Sequence, residues 1–152
     1  MLSTAVVLIC GNDGSRRVCR TLLDCGSQAN FVTKKFVEAV GLEMHPSSLS
    51  ICGVNGMITS TNHVGIKLQS RLNSYTAAIE CIVTDRITDK IPTFSLGRDK
   101  FNLPGSIRLV DPRFHISDID LLIRIDLFWN LIRVDQVKFS DKQPTLQKTR
   151  LD

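Results

Sequence analysis

The stretch Leu22–Phe31, "LLDCGSQANF", decides the reading of this chain. It closes an apolar run, "RRVCRTLLD", that ends on Asp24. Cys25, Gly26 and Ser27 follow directly. Aspartate and glycine both favour turns, so a plain turn after a strand is the ordinary reading of such a tetrad. The sharper reading is that a strand end holds Asp24 rigidly for chemistry. Gly26 would let the backbone turn tightly and bring an N–H towards the carboxylate. A hydroxyl between the two would brace a neighbouring loop, a task a Cys25 thiol performs weakly.

The flanks place this loop among strands. "TAVVLIC" (Thr4–Cys10) is apolar and β-branched, and reads as a strand. "GNDG" (Gly11–Gly14) is a turn, and "RRVCRTLLD" returns as a second strand ending at Asp24. In "NFVTKKFVEAVGL" the residues Phe36, Val37 and Val40 have helical spacing, with Thr33 as N-cap and Gly41 as stop. "SLSIC" and "MITST" flank "GVNG", whose Asn55-Gly56 pair predicts a hairpin. "HVGIKLQS" and "SYTAAIECIVT" alternate as two more strands.

From Asp85 to Asp118 the pattern weakens and Pro92, Pro104 and Pro112 intervene, which predicts an irregular segment with short strands. "DIDLLIRIDLFWNLI" predicts a strand over Ile119–Ile123 and a helix from about Asp126. The tail, from Val134 on, predicts two edge strands around a turn. The sum is one mainly β domain over residues 1–152, a barrel or sandwich with one or two short helices.

Composition narrows the function classes. The chain has 152 residues, 43% of them hydrophobic, enough for a core without disulfides or metals. Its net charge of +4 is scattered, with no basic stripe interleaved with aromatics, which argues against direct nucleic-acid binding. Five cysteines form no CxxC pair, and His45, His63 and His115 stand far apart in sequence. Neither a disulfide framework nor a zinc site is expected, and these histidines read as surface or turn residues. No stretch resembles a signal peptide or a membrane span, and reduced thiols suit an intracellular, cytoplasmic, soluble protein.

Peptide hydrolysis without a covalent intermediate needs an activated water and an acid for the leaving amine. Two carboxylates at close range cannot both ionise, so they share one proton and divide these roles. Only one strand–Asp–x–Gly motif occurs here, and Asp120 in "DIDLLI" has no glycine two residues later. A catalytic Asp24 therefore needs a second copy of the chain, in a symmetric homodimer with the site on its two-fold axis. A Cys25 nucleophile would need a base, and no histidine lies in a supporting context.

Six stretches in one order carry a resemblance: "LSTAVVLI", "CRTLLDCGSQANFVT", "LSICGVNG", "RLVDPRF", "IDLLIRIDLFWNLI" and "PTLQKT". Together they span nearly the whole chain. Their order resembles the aspartic peptidase domain of Pao/BEL-type retrotransposon polyproteins, a relative of retroviral proteases. The resemblance implies a retropepsin-like closed β-barrel acting as a homodimer on a peptide or polyprotein substrate, with no cofactor and no metal. It implies that Asp24 is catalytic, that Cys25 and Gly26 complete its loop, and that Ser27 bonds near the carboxylate or the substrate. It also implies that Cys52, Gly53, Val54, Asn55 and Gly56 form a flap over the substrate.

The chain departs from the family pattern at three places. Cys25 replaces serine or threonine. Arg124 in "LLIRID" replaces a glycine, and a side chain there fits only if it points to solvent. The tail ends at "QKTRLD" where relatives continue, which is expected of a domain truncated at its C-terminus. A catalytically inactive, retroelement-derived β-barrel acting as an interaction module is the alternative expectation.

Overall fold

Eleven strands and two helices are described in the computed structural model, over residues 3–48, 50–53, 56–59, 62–92, 105–112, 116–138 and 145–152. β1 (Ser3–Cys10) and β2 (Arg16–Leu23) form the expected first hairpin, in full register from Ser3↔Leu23 to Cys10↔Arg16. Its turn places Gly14 at φ +79°, a left-handed conformation that glycine adopts without penalty. β3 (Asn30–Thr33) leads straight into α1 (Lys34–Val40). Phe36, Val37 and Val40 are the buried face of α1, as their spacing predicts. Gly41 ends the helix at φ 72°, its N–H bonded to the carbonyls of Val37 and Glu38. Thr33 occupies the N-cap, but its hydroxyl is bonded to Asp120 instead of the helix.

β4 (His45–Pro46) is a two-residue strand, and β5 (Ser50–Gly53) with β6 (Gly56–Thr59) makes a separate two-stranded sheet. β7 (Asn62–Ser70) and β8 (Thr76–Thr84) pair over seven residues. β9 (Leu121–Ile123) precedes α2 (Ile125–Leu131), and β10 (Ile132–Val137) pairs with β11 (Leu146–Thr149). The sheet runs β1-β2-β9-β3-β8-β7, and β7 pairs back onto β1, so six strands close a barrel. β4 is added on β7 outside that ring.

The alternation of β7, buried at Val64, Ile66 and Leu68, shows which face looks inward. Those side chains meet Val7, Ile9, Val32, Leu121 and Ile123 in one core. Leu131 and Leu151 join it, so α2 and the tail seal one side of the barrel. A smaller cluster of Leu22, Ile119 and Leu122 lies against Phe31, Ile87 and Ile91. The irregular segment thus has an apolar footing, although one isolated bridge, Ile91↔Ser117, is its only β pairing among the described residues.

Sequence reading misses β3 and β4. β3 is four residues long and runs into a helix, so no period of its own shows. The tail does give two strands, but they form their own sheet and do not extend an edge of the barrel.

Candidate active site

β9 determines the local architecture. It lies parallel to β2 (Leu23↔Ile123) and antiparallel to β3 (Phe31↔Leu122), so it threads between the strands on either side of the Asp24 loop. Residues just before β9 continue this: Asp120 N–H donates to the Arg20 carbonyl at 3.1 Å, and Thr33 N–H donates to the Asp120 carbonyl at 2.9 Å. Three short apolar runs in contact hold both ends of one loop.

Asp24 sits where β2 ends. Its N–H donates to the Ile123 carbonyl at 3.0 Å, the last link to β9. Its Oδ1 accepts the Gly26 N–H at 2.8 Å, the charge-assisted bond expected of the motif. Gly26 does not take a left-handed φ. A Cβ there would stand 3.4 Å from that carboxylate oxygen, at the near edge of ordinary van der Waals contact.

Ser27, expected to bond near the carboxylate or the substrate, makes its bonds within this chain to its own loop and to α2. Its hydroxyl donates to the Ala29 carbonyl at 2.8 Å, and its own carbonyl accepts the Ile125 N–H at 3.1 Å. It closes its loop and ties that loop to the start of α2. Cys25 is exposed at the loop tip, and its thiol makes no hydrogen bond among the described residues.

Arg124 answers the steric question raised by its position. Its backbone is extended (φ −72°, ψ 171°), a conformation any residue adopts. Its side chain, 44% exposed, pairs with Asp126 and reaches the Gln28 carbonyl. The charge is solvated and the strand passes without a glycine.

Asn30 is the residue sequence reading overlooks. It is buried, its Nδ2 donates to the Glu80 carbonyl at 3.0 Å, and its Oδ1 accepts the Arg124 N–H at 2.8 Å. One amide thus joins β3, β8 and the turn after β9. The available signal is a polar residue at the head of the apolar run "NFV".

A cleft of about 1920 Å³ opens beside this loop, and Asp24, Ser27, Arg124, Glu80, His45 and His63 are among the residues that line it. His45 and His63, remote in sequence, face each other across β4 and β7 with ring centroids 5.6 Å apart. His45 is exposed, as expected of a surface residue, and His63 beside it is half-buried. Of the expected flap, the backbone of β5 and β6 forms the hairpin with Cys52↔Met57 and Gly53↔Gly56 in register. Val54 and Asn55 lie outside the described residues.

Among the described residues, no cluster of three or more His, Cys, Asp or Glu side chains could hold a metal ion. Nor is any helix among them long and apolar enough to cross a membrane. No family model matches this sequence, and no curated protein matches it.

Proposed function

We propose that this chain is one half of an aspartic endopeptidase, with Asp24 sharing a proton with Asp24 of a second copy. The observation that carries the reading is the placement of Asp24. It ends a barrel strand, its loop is pinned at both ends by β9, and it borders a cleft roomy enough for an extended peptide. Asp126 borders the same cleft, but the Arg124 guanidinium engages it, which favours a partner carboxylate from another copy.

In the shared-proton pair, the ionised carboxylate takes a proton from water as the water oxygen attacks the scissile carbonyl carbon. The protonated carboxyl donates to the carbonyl oxygen. The tetrahedral intermediate collapses as the carboxyl that took the water's proton passes it to the nitrogen, a hydroxyl of the intermediate returns its proton to the other carboxylate, and the C–N bond breaks. A retroelement polyprotein as the substrate rests on the resemblance of the sequence alone.

A second reading rests on Cys25. Its exposed thiol gives the loop no brace within the chain, which favours a catalytically silent barrel that binds a partner. One experiment separates the two. A degenerate peptide library is incubated at mildly acidic pH with concentrated wild-type protein and with Asp24→Asn. The peptidase reading expects cleavage that rises with the square of concentration when dilute and is absent in the variant. Folded but equally silent proteins would sink it and leave the binding module.

A further inference from the structure

His45 and His63 are a pair that the proposed hydrolysis does not use. They are direct partners in the antiparallel register of β4 and β7. Directly opposed residues of such a pair project from the same face of the sheet, with Cβ atoms about 4.5–5.5 Å apart. Both imidazoles therefore stand on one face, their centroids 5.6 Å apart and their planes inclined at 41°. Neither ring has a hydrogen bond or ion pair among the described residues.

Neutral imidazole is the commonest protein ligand for transition metals. At a tetrahedral ion, a Zn–N bond of about 2.0–2.1 Å and about 1.1 Å more to the ring centre set two imidazole centroids about 5 Å apart. The observed 5.6 Å is close to that separation. The outer side-chain torsion of histidine is broad, so each ring turns a nitrogen towards a shared ion at little cost. The strand register holds the two backbones in place while the rings rotate.

No third His, Cys, Asp or Glu side chain completes the set among the described residues. A structural zinc site uses four protein ligands, so a two-histidine site is of another kind. Water fills the remaining positions, the ion exchanges, and a donor atom of a molecule in the cleft can replace a water. The surroundings favour a cation. Glu43 and Glu80 border the same cleft, and Arg124, which also borders it, is engaged by Asp126. The Glu80 Oε1 lies 3.1 Å from where a Cβ on Gly65 would stand, and Gly65 is two residues from His63 on the same face of β7. Carboxylates around a cleft raise the local concentration of cations.

We propose that His45 and His63 are the protein ligands of an open, exchangeable site for a divalent transition-metal ion of the Ni²⁺ or Zn²⁺ type. The site stands whether or not Asp24 is catalytic.

The test is calorimetric titration of the full chain with Ni²⁺, Zn²⁺, Mn²⁺ and Mg²⁺ near neutral pH, beside NMR of the imidazole ring protons. Ni²⁺ and Zn²⁺ should bind, Mn²⁺ much more weakly and Mg²⁺ not at all, because imidazole donors follow the Irving–Williams order and Mg²⁺ prefers oxygen. Zn²⁺ should shift the ring signals of His45 and His63 together. His45→Gln and His63→Gln, each confirmed as folded by circular dichroism, should each weaken Zn²⁺ binding about tenfold or more. Cys25→Ser tests the exposed thiol as a rival ligand, and should leave the affinity unchanged. Zn²⁺ binding that survives both histidine variants overturns the proposal. So does binding that is lost with Cys25→Ser while the ring signals stay in place. A wild-type chain that takes up neither Ni²⁺ nor Zn²⁺ at millimolar concentration overturns it as well, and leaves the pair a simple ring contact.

Discussion

Asn30 holds two loops with one amide, and that makes it the residue whose loss the candidate site should feel first. It accepts from the Arg124 N–H and donates to the Glu80 carbonyl while only 8% exposed. Asn30→Ala leaves both backbone groups without a partner in a place water reaches poorly. The expected cost is about 2 kcal/mol, read as a lower urea midpoint with an unchanged slope. A cost below about 0.5 kcal/mol would mean that water replaces the amide and that the loops are held by β9 alone. Arg124 makes the opposite point. The resemblance expects glycine at its position, yet its backbone is ordinary and its charge lies in solvent. Its exposed pair with Asp126 contributes little to stability.

At the scale of the element, β2 and β8 each carry a thiol into the core. Burial first of all, with negative charge nearby, pushes the Cys19 thiol well above its ordinary value of 9.0. Burial does the same to Cys81, with Glu80 adding to it. Below pH 9 both thiols are neutral in the folded and unfolded chain alike, and their contribution is fully present. Above it the unfolded chain releases protons that the fold retains, so stability falls as pH rises. Urea midpoints at pH 8 and pH 10 should show this loss, and Cys19→Ala/Cys81→Ala should show a smaller one. An equal loss in both proteins would assign the alkaline sensitivity to other groups. These elements also show what the sequence could reveal. β2, α1 and the β7–β8 pair declare themselves by local period, and the Asp24 loop by its residue types. The threading of β9 between β2 and β3 depends on partners about a hundred positions away, and no local pattern encodes it. The same holds for His45 beside His63, and for Asn30, whose two partners belong to other elements.

At the scale of the whole molecule, one buried ion pair binds the irregular segment to the barrel. Arg20 on β2 and Asp111 are 2.7 Å apart, with side chains 3% and 4% exposed. The guanidinium also donates to the Ile91 carbonyl and the Ser117 hydroxyl, each at 2.6 Å. The Thr4 hydroxyl donates to the same Asp111 oxygen. One side chain on β2 therefore fastens three points of a segment that has one isolated bridge, Ile91↔Ser117, among its described residues. Removing one partner of such a pair leaves an uncompensated buried charge, which costs about 3–5 kcal/mol. Arg20→Met alone and Asp111→Leu alone should each reach that range in urea unfolding. The double variant removes both charges, and apolar side chains of similar size fill the space. Its loss should be much smaller than the sum of the two singles, since desolvation offsets much of what a buried pair gains. A strictly additive double variant would show that Arg20 acts through Ile91 and Ser117, with Asp111 incidental. A fully coupled one would make the pair a single clamp, and then loss of either member should also loosen β2, the strand that carries Asp24. The readout for that last step is amide exchange at Thr21 to Leu23, which should speed up in either single variant and slow again in the double.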